Sequence, residues 1–455
     1  MFTKITNNLI FNNSKSILDY CKNNLVLPNP QYYQNEKMGF SNYNTDPTIK
    51  LYKSENDKIS IPFGCLGELW KSGHIKKYDI DLADTPIDIK GELPLYDYQE
   101  TAVNEMVKAK NGVLVSAAGS GKTQIGIELI NRIGKKTLWL THTLDLVKQS
   151  KDRFETYLQA EVGMISSGKA NIKDVTFATV QTLSKMDLDK LKYEFSVVIV
   201  DECHRVTGSP AKLGMFYKVL NSLACRYKYG LTATAHRGDG LIKSMFSIIG
   251  PVIHEVPKTA TNNKTLKAKV EIINTGISNY NLGDIKTDNG DISFVKLITE
   301  LSKNNKRNEM IAADIIENSN KSCIVLSDRI SQLEDIMKLV GKGKLITGKM
   351  TSKKGKKDRE QAIKDMQDGK EKILFASYNL AKEGLDIPCL ERLFLASPKK
   401  DYAVIVQSIG RIERKIENKS QGIVYDYVDN VGICYAMSKS RIKHYISNKN
   451  NYRQV

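Results

Sequence analysis

From about residue 90 onward the apolar positions fall into short β-rich runs separated by helix-length amphipathic segments, the pattern of a parallel sheet flanked by helices. A first block holds 113-VLVS, 138-LWLT, 175-VTFAT, 197-VVIV and 229-YGLTAT; a second holds 270-VEIINT, 323-CIVLS, 373-ILFAS, 392-RLFLAS and 423-IVYDYV. The polar stretch 257-PKTATNNKTLKAK parts the blocks, which predicts two α/β lobes over residues 91–256 and 265–435. Residues 1–90 lack this rhythm; their short alternating runs, 49-IKLYK and 58-KISI, predict a small strand-containing accessory domain. Residues 436–455 read as a short basic tail. Lys342–Lys357 carries seven lysines and no acid, and reads as an exposed basic loop before a helix at 358-DREQAIKDMQ.

Charge changes the picture first. Sixty-eight Lys+Arg against fifty-one Asp+Glu give +17 over 455 residues, and such an excess favours a polyanionic partner. The seven cysteines show no CxxC pair and no zinc-like spacing, which predicts free thiols and no structural metal. No run approaches the roughly 18 apolar residues of a membrane span, so the expectation is a soluble, cytoplasmic protein with no membrane partner.

Candidate chemistry begins at 113-VLVSAAGSGKTQIGIELI, a strand, a small-residue loop and a helix. Such a loop curls its backbone N–H groups, here at Ala118, Gly119, Ser120 and Gly121, around phosphate oxygens at a helix N-terminus. Lys122 then reaches the β- and γ-phosphates of ATP, and the Thr123 hydroxyl is a ligand for Mg²⁺. Ser116 stands where the strict pattern has glycine or alanine. About 80 residues on, 197-VVIVDECH delivers two adjacent carboxylates at a strand end: Asp201 as a second Mg²⁺ ligand, and Glu202 to orient and deprotonate the attacking water. His204 is placed to relay the nucleotide state. Upstream, 95-LYDYQETAVNEM opens a helix from which Gln99 can offer its amide to the adenine edge.

Taken in order from Gln99 to Arg414, these segments resemble the motifs of superfamily 2 helicases of the DECH-box type, and most closely the XPB-like and phage UvsW-type DNA helicases. SAAGSGKT resembles motif I, 138-LWLTHTLDLVKQ motif Ia, 177-FATVQTL motif Ic, DECH motif II, 231-LTATAHRGDG motif III, 375-FASYNLAKEGLDIP motif V and 407-QSIGRIERK motif VI. The resemblance implies two tandem RecA-like P-loop lobes and an ATP-dependent DNA helicase or translocase that acts on branched DNA, as a monomer on the DNA. It implies that Gln407, Arg411 and Arg414 serve hydrolysis, the arginines stabilising transition-state charge when the lobes close, and that Asp386 meets the ribose. Thr232 and Thr234 would couple the nucleotide to strand grip, although Ala235 stands where relatives often have proline. Thr141, His142, Thr179, Gln181, Arg237, Arg329, Ser377 and Asn379 would hold the strand through its phosphates, which carry no sequence information. The alternatives are an RNA helicase and an ATP switch that clamps nucleic acid without moving. DEAD-box RNA helicases carry DEAD and SAT where this chain has DECH and TAT, which favours DNA.

Overall fold

A computed structural model describes residues 2–117, 119–209, 214–235, 240–257, 260, 266–287, 290–348, 350, 352–382, 385, 387–399, 402–413, 419–447 and 450–454. The chain divides into two compact units, Met1–Pro257 and Lys258–Val455.

In the first unit, eight described strands form one sheet in the order Lys169–Asn171, Val162–Ser166, Val175–Thr179, Thr137–Thr141, Val197–Asp201, Tyr227–Thr232, Asn111–Val115 and Val252–Glu255. All neighbours run parallel except Lys169–Asn171. The central strands are buried on both faces, which is why they read as unbroken apolar runs. Helix Lys122–Ile133 follows Asn111–Val115 and lies close on the sheet at Gly126, where a Cβ would stand 2.6 Å from the Trp139 ring. Parallel order brings Val115, Thr141, Thr179, Asp201 and Thr232 to the same carboxyl edge, where ligands bind in open α/β sheets.

The accessory region has its own core, built on Phe11, Ile17, Ile59, Ile61 and Leu69, and its own sheet, in the order Lys53–Glu55, Lys58–Pro62, Asn8–Asn12, Phe2–Ile5 and Lys77–Ile80. It nevertheless belongs to the first compact unit. Gly64 lies so close to helix Ile242–Ile249 that a Cβ would meet the Phe246 carbonyl at 2.4 Å, and the fully buried Lys228 sits 4.9 Å from the Phe63 ring while donating to the Leu220 carbonyl at 2.8 Å. The following chain runs along the amino ends of the strands: Ala83 N–H donates to the Ala224 carbonyl, and Thr85 N–H to Ser196 Oγ. The accessory region is thus fastened at the edge of the sheet opposite Asp201 and Thr141.

The second unit is a sheet of seven described strands, all parallel, in the order Lys344–Ile346, Ile373–Ser377, Cys323–Ser327, Arg392–Leu395, Ile423–Asn430, Lys269–Ser278 and Tyr452–Gln454. Two expectations need correction here. The basic tail is instead the helix Gly432–Ser447 and the edge strand Tyr452–Gln454, because buried Arg441 makes a two-pronged ion pair with Asp426 at 2.8 and 2.9 Å and Tyr445 donates to the same carboxylate at 2.7 Å. The basic loop is partly regular: Lys344–Ile346 is a strand, and Ser352 accepts the Gly355 N–H at 3.0 Å to cap a helix, Lys353–Gln367, five residues before the expected start. All seven cysteines are free thiols. Among the described residues no helix is long and apolar enough to cross a membrane.

Candidate functional site

The phosphate loop leaves the carboxyl end of Asn111–Val115 and turns through two glycines with positive φ, Gly119 and Gly121, both at +79°. Gly121 caps helix Lys122–Ile133. The departure at Ser116 has a structural use: its hydroxyl donates to Ser120 Oγ at 2.5 Å, and Ser120 Oγ donates to the Ala117 carbonyl at 2.7 Å, so the two serines tie the loop across its neck. Lys122 Nζ folds back onto the carbonyls of Ser116 and Ala117 at 3.1 and 3.2 Å, inside the loop's curl. Thr123 begins the helix beside it and is half-buried.

Gln99, the candidate adenine contact, is placed against the phosphate loop. It is fully buried; its Oε1 accepts the Tyr96 N–H at 3.0 Å and its Nε2 donates to the Ser120 carbonyl at 3.1 Å, so both ends of the amide are engaged. Tyr98 adds a second donor, its hydroxyl reaching the same carbonyl at 2.9 Å. In this conformation the pair holds the phosphate loop. Ser116, the Ser120 side chain and Tyr98 are further residues of this loop-holding set, and their signal in the sequence is the hydroxyls in 95-LYDYQ and SAAGS.

At the end of Val197–Asp201, Asp201 Oδ1 accepts the N–H of Glu202, whose φ of +53° is left-handed for a non-glycine residue. Strain of this kind is held only where surrounding structure enforces it. Burial, and then the Glu202 charge, pushes the Asp201 carboxyl well above the usual carboxylate range. Burial also raises Glu202, but the His204 contact and the Lys122 charge outweigh it and hold that carboxyl low. The buried Asp201 beside the half-buried Glu202 is a pair of adjacent carboxyls that added positive charge would favour. The donor set of Asp201 carboxylate and Thr123 hydroxyl therefore fits a hard divalent cation such as Mg²⁺, which supplies that charge when bound.

His204 Nδ1 lies 3.2 Å from Glu202 Oε2 and 3.1 Å from Thr232 Oγ1; Thr232 Oγ1 in turn donates to the Thr234 carbonyl at 2.8 Å. The carboxylate, the imidazole and the two threonines thus form one line. Ala235 is half-buried beside the lobe core, so the absence of proline leaves the backbone of this segment shaped by Thr232.

Thr141 and Thr179 face each other in register on adjacent strands, and Gln181 Nε2 donates to the His142 carbonyl at 2.7 Å, so four predicted strand-contact residues are gathered at one edge. In the second unit, Ser327 and Ser377 end paired strands; Arg329 follows the first, donating to Thr299 Oγ1 at 3.3 Å, while Asn379 is exposed after the second. Arg411 is half-buried on helix Tyr402–Ile412. Ala118, Arg237, Asp386, Arg414 and the Gln407 side chain lie outside the described residues.

A nucleotide loop with a carboxylate strand beside it, on a parallel α/β lobe followed by a second parallel lobe, defines a two-lobed RecA-like P-loop protein. Residues 92–237 match the model of the type III restriction enzyme res subunit, and residues 303–415 match the helicase conserved C-terminal domain. The chain belongs to the superfamily 2 helicases. It is 27% identical to the putative ATP-dependent RNA helicase L396 of Acanthamoeba polyphaga mimivirus, over 93% of this chain and 78% of that protein. It is 25% identical to the DNA 3'-5' translocase XPB2 of Sulfurisphaera tokodaii, over 82% and 92%, and 25% identical to the ATP-dependent DNA helicase uvsW of Enterobacteria phage T4, over 74% and 68%. The fold is also that of Saccharomyces cerevisiae Dbp5, solved with RNA and ADP BeF3, at a TM-score of 0.55 and 15% identity over 87% of this chain and 94% of that one. This is an ATP-dependent nucleic-acid helicase by family.

Proposed function

We propose that the chain is a DNA helicase or translocase that uses ATP, with Mg²⁺, to unwind or migrate branched DNA in replication, recombination or repair. The observation that carries the motor reading is the continuous line from Glu202 through His204 to Thr232 and Thr234, which joins the hydrolytic carboxylate to the segment that follows the sheet. Loss of the γ-phosphate changes the charge at Glu202 and Lys122, and this line passes the change to motif III, which biases the grip on the strand. Arg411 and Arg414 supply transition-state charge, Gln407 and Asp386 assist at the nucleotide, and Arg237 joins the strand contacts.

DNA is favoured by the DECH and TAT motifs and by the XPB2 and uvsW relatives; the mimiviral relative, named as an RNA helicase, supports the second reading, an RNA helicase. The phage relatives support a site of action in the cytoplasm of an infected or bacterial host. The accessory region sets substrate choice, and the chain acts as a monomer on DNA.

The test is ATP-dependent unwinding of a matched panel: fork, Holliday junction, D-loop, linear DNA duplex and RNA duplex. Preferential opening of the branched DNAs is expected. Preference for the RNA duplex would replace this reading with the second.

A further inference from the structure

The accessory region carries one segment that is laced by internal hydrogen bonds although its side chains bury nothing. Strands Val26–Pro28 and Thr48–Lys50 pair antiparallel, rooted in the region's core by Leu25, Leu27 and Leu51, and between them residues 29–47 project outward. The outgoing arm is helix Pro30–Met38, capped by Asn29 and ended by Gly39 at φ +70°; it contains no buried residue. At 1.5 Å per residue it extends roughly 14 Å. Side-chain amides hold the arm together: Asn35 donates to Asn42 Oδ1 at 2.9 Å, Asn42 to the Tyr32 carbonyl at 3.1 Å, and Asn29 to the Asp46 carbonyl at 2.7 Å.

Its apolar groups face water. Tyr33 is 51% exposed, Phe40 64% and Tyr43 93%, and Phe40 and Tyr43 lie past the helix end, on the stretch that Asn42 folds back along the helix. Large aromatic rings held out on a hydrogen-bonded stem mark a binding element. The residue types say what binds. The segment carries Glu36, Lys37 and Asp46, a net charge of −1 in a chain of +17, so it is not built to grip phosphates. Nor does the helix display an apolar stripe for a protein groove: apart from Pro30, the residues three and four from Tyr32, Tyr33 and Met38 within the helix are Asn, Gln, Glu or Lys. What it offers is aromatic faces among side-chain amides, the chemistry that stacks on unpaired bases and hydrogen-bonds their edges.

We propose that residues 29–47 form a base-contacting pin, with Phe40 and Tyr43 stacking on bases exposed at a branch point. This rests on the nucleic-acid motor reading and adds the part of the substrate that the pin touches: unpaired or terminal bases, not backbone. Stacking of one ring on a base is worth roughly 5- to 150-fold in binding. Because these two rings are exposed, their removal leaves the fold untouched.

The experiment uses the full chain, the Phe40→Ala/Tyr43→Ala variant, and a second variant in which residues 30–46 are replaced by two glycines across the Asn29–Pro47 pair. A DNA fork with 2-aminopurine at the branch reports stacking by fluorescence, fork opening reports the motor, and ATP turnover with oligo-dT reports the cleft alone. Both variants are expected to keep strand-stimulated turnover to within about twofold, to lose the fluorescence change at the branch, and to open the fork at least about tenfold more slowly. Variants that perturb the 2-aminopurine and open forks as the parent does overturn the pin, as does slow opening with the fluorescence change intact, which would assign the projection to a protein partner. If the parent chain's turnover responds to no strand, the motor reading itself fails, and that outcome is read before any variant is compared.

Discussion

Replacing Gln99 with alanine separates two roles for its amide. In the structure the side chain is fully buried and spans Tyr96 N–H and the Ser120 carbonyl, with a longer bond to Gln124 Oε1 at 3.4 Å, so its removal deletes two good neutral hydrogen bonds and one weak one. Each good one contributes about 0.5–1.5 kcal/mol net. The cost stays in the lower half of the combined range, because Tyr98 still donates to Ser120 and the Tyr96 N–H can turn to water at an exposed residue. A loss of about 1.5 kcal/mol from the ordered loop lowers the population of its binding form, and so weakens every ligand it cradles, by up to about tenfold. Fluorescence titration with ATP, GTP and ADP measures it. The account predicts that all three weaken together, by up to about tenfold, in Gln99→Ala, with the melting temperature little changed. Weakening of ATP with GTP unaffected or tighter would show that the amide reads the adenine and would refute the loop-holding role.

Lys122→Ala should abolish turnover in a folded protein, and Glu202→Gln should bind ATP and Mg²⁺ yet fail to hydrolyse, trapping a closed state; nucleotide binding and turnover assays check both, and loss of nucleotide binding in Glu202→Gln would make that residue structural. Arg414→Ala, and to a lesser degree Arg411→Ala, should lower kcat far more than ATP affinity, and an equal loss of both would remove the arginines from transition-state stabilisation. Burial brings the Lys228 ammonium down from 10.5 to about 8, which at 1.36 kcal/mol per pH unit is a cost of about 3 kcal/mol to the folded state. Since the folded protein releases this proton more readily than the unfolded chain does, the cost is complete below pH 8 and is relieved between pH 8 and 10.5. Less about 2 kcal/mol for the lost bond from the charged amine to Leu220, Lys228→Met should therefore be stabilised by about 1 kcal/mol at pH 7, and the gain should shrink by pH 9.5. Urea titrations at the two pH values decide it, and a variant less stable at pH 7, or shifted equally at both, contradicts the reasoning.

The central strands were legible because parallel strands buried on both faces leave unbroken apolar runs, as in 197-VVIV and 323-CIVLS. Edge strands were not. Lys344–Ile346 and Tyr452–Gln454 have three residues each and are partly or wholly exposed, so each apolar run is too short to stand out from its polar neighbours and they read as loop and tail. Arg441 misled in the same way: a basic residue near a chain end reads as solvated unless its partner, Asp426, is known to lie beneath it. The order of motifs assigned the phosphate loop and the carboxylate pair, since both are local in sequence. What holds them is not local. The hydrogen bond from Gln99 to Ser120 crosses 21 residues, and the His204 contact with Thr232 crosses 28. Lys228 sits in 227-YKYG, where a lysine on a strand is normally outward; here Phe63 packs over it and the Leu220 carbonyl takes its amine. A chain begun near Leu93 would uncover that lysine, so point substitutions probe the accessory region more cleanly than its removal.

The most direct test of the motor is steady-state ATP hydrolysis by the full chain with Mg²⁺, without nucleic acid and then with single-stranded DNA or RNA of equal length, with Lys122→Ala beside it. Turnover is predicted to rise at least about tenfold with the strand, more with DNA than with RNA, and to vanish in the variant. ATP hydrolysis that neither strand stimulates, or that survives in Lys122→Ala, would contradict the account.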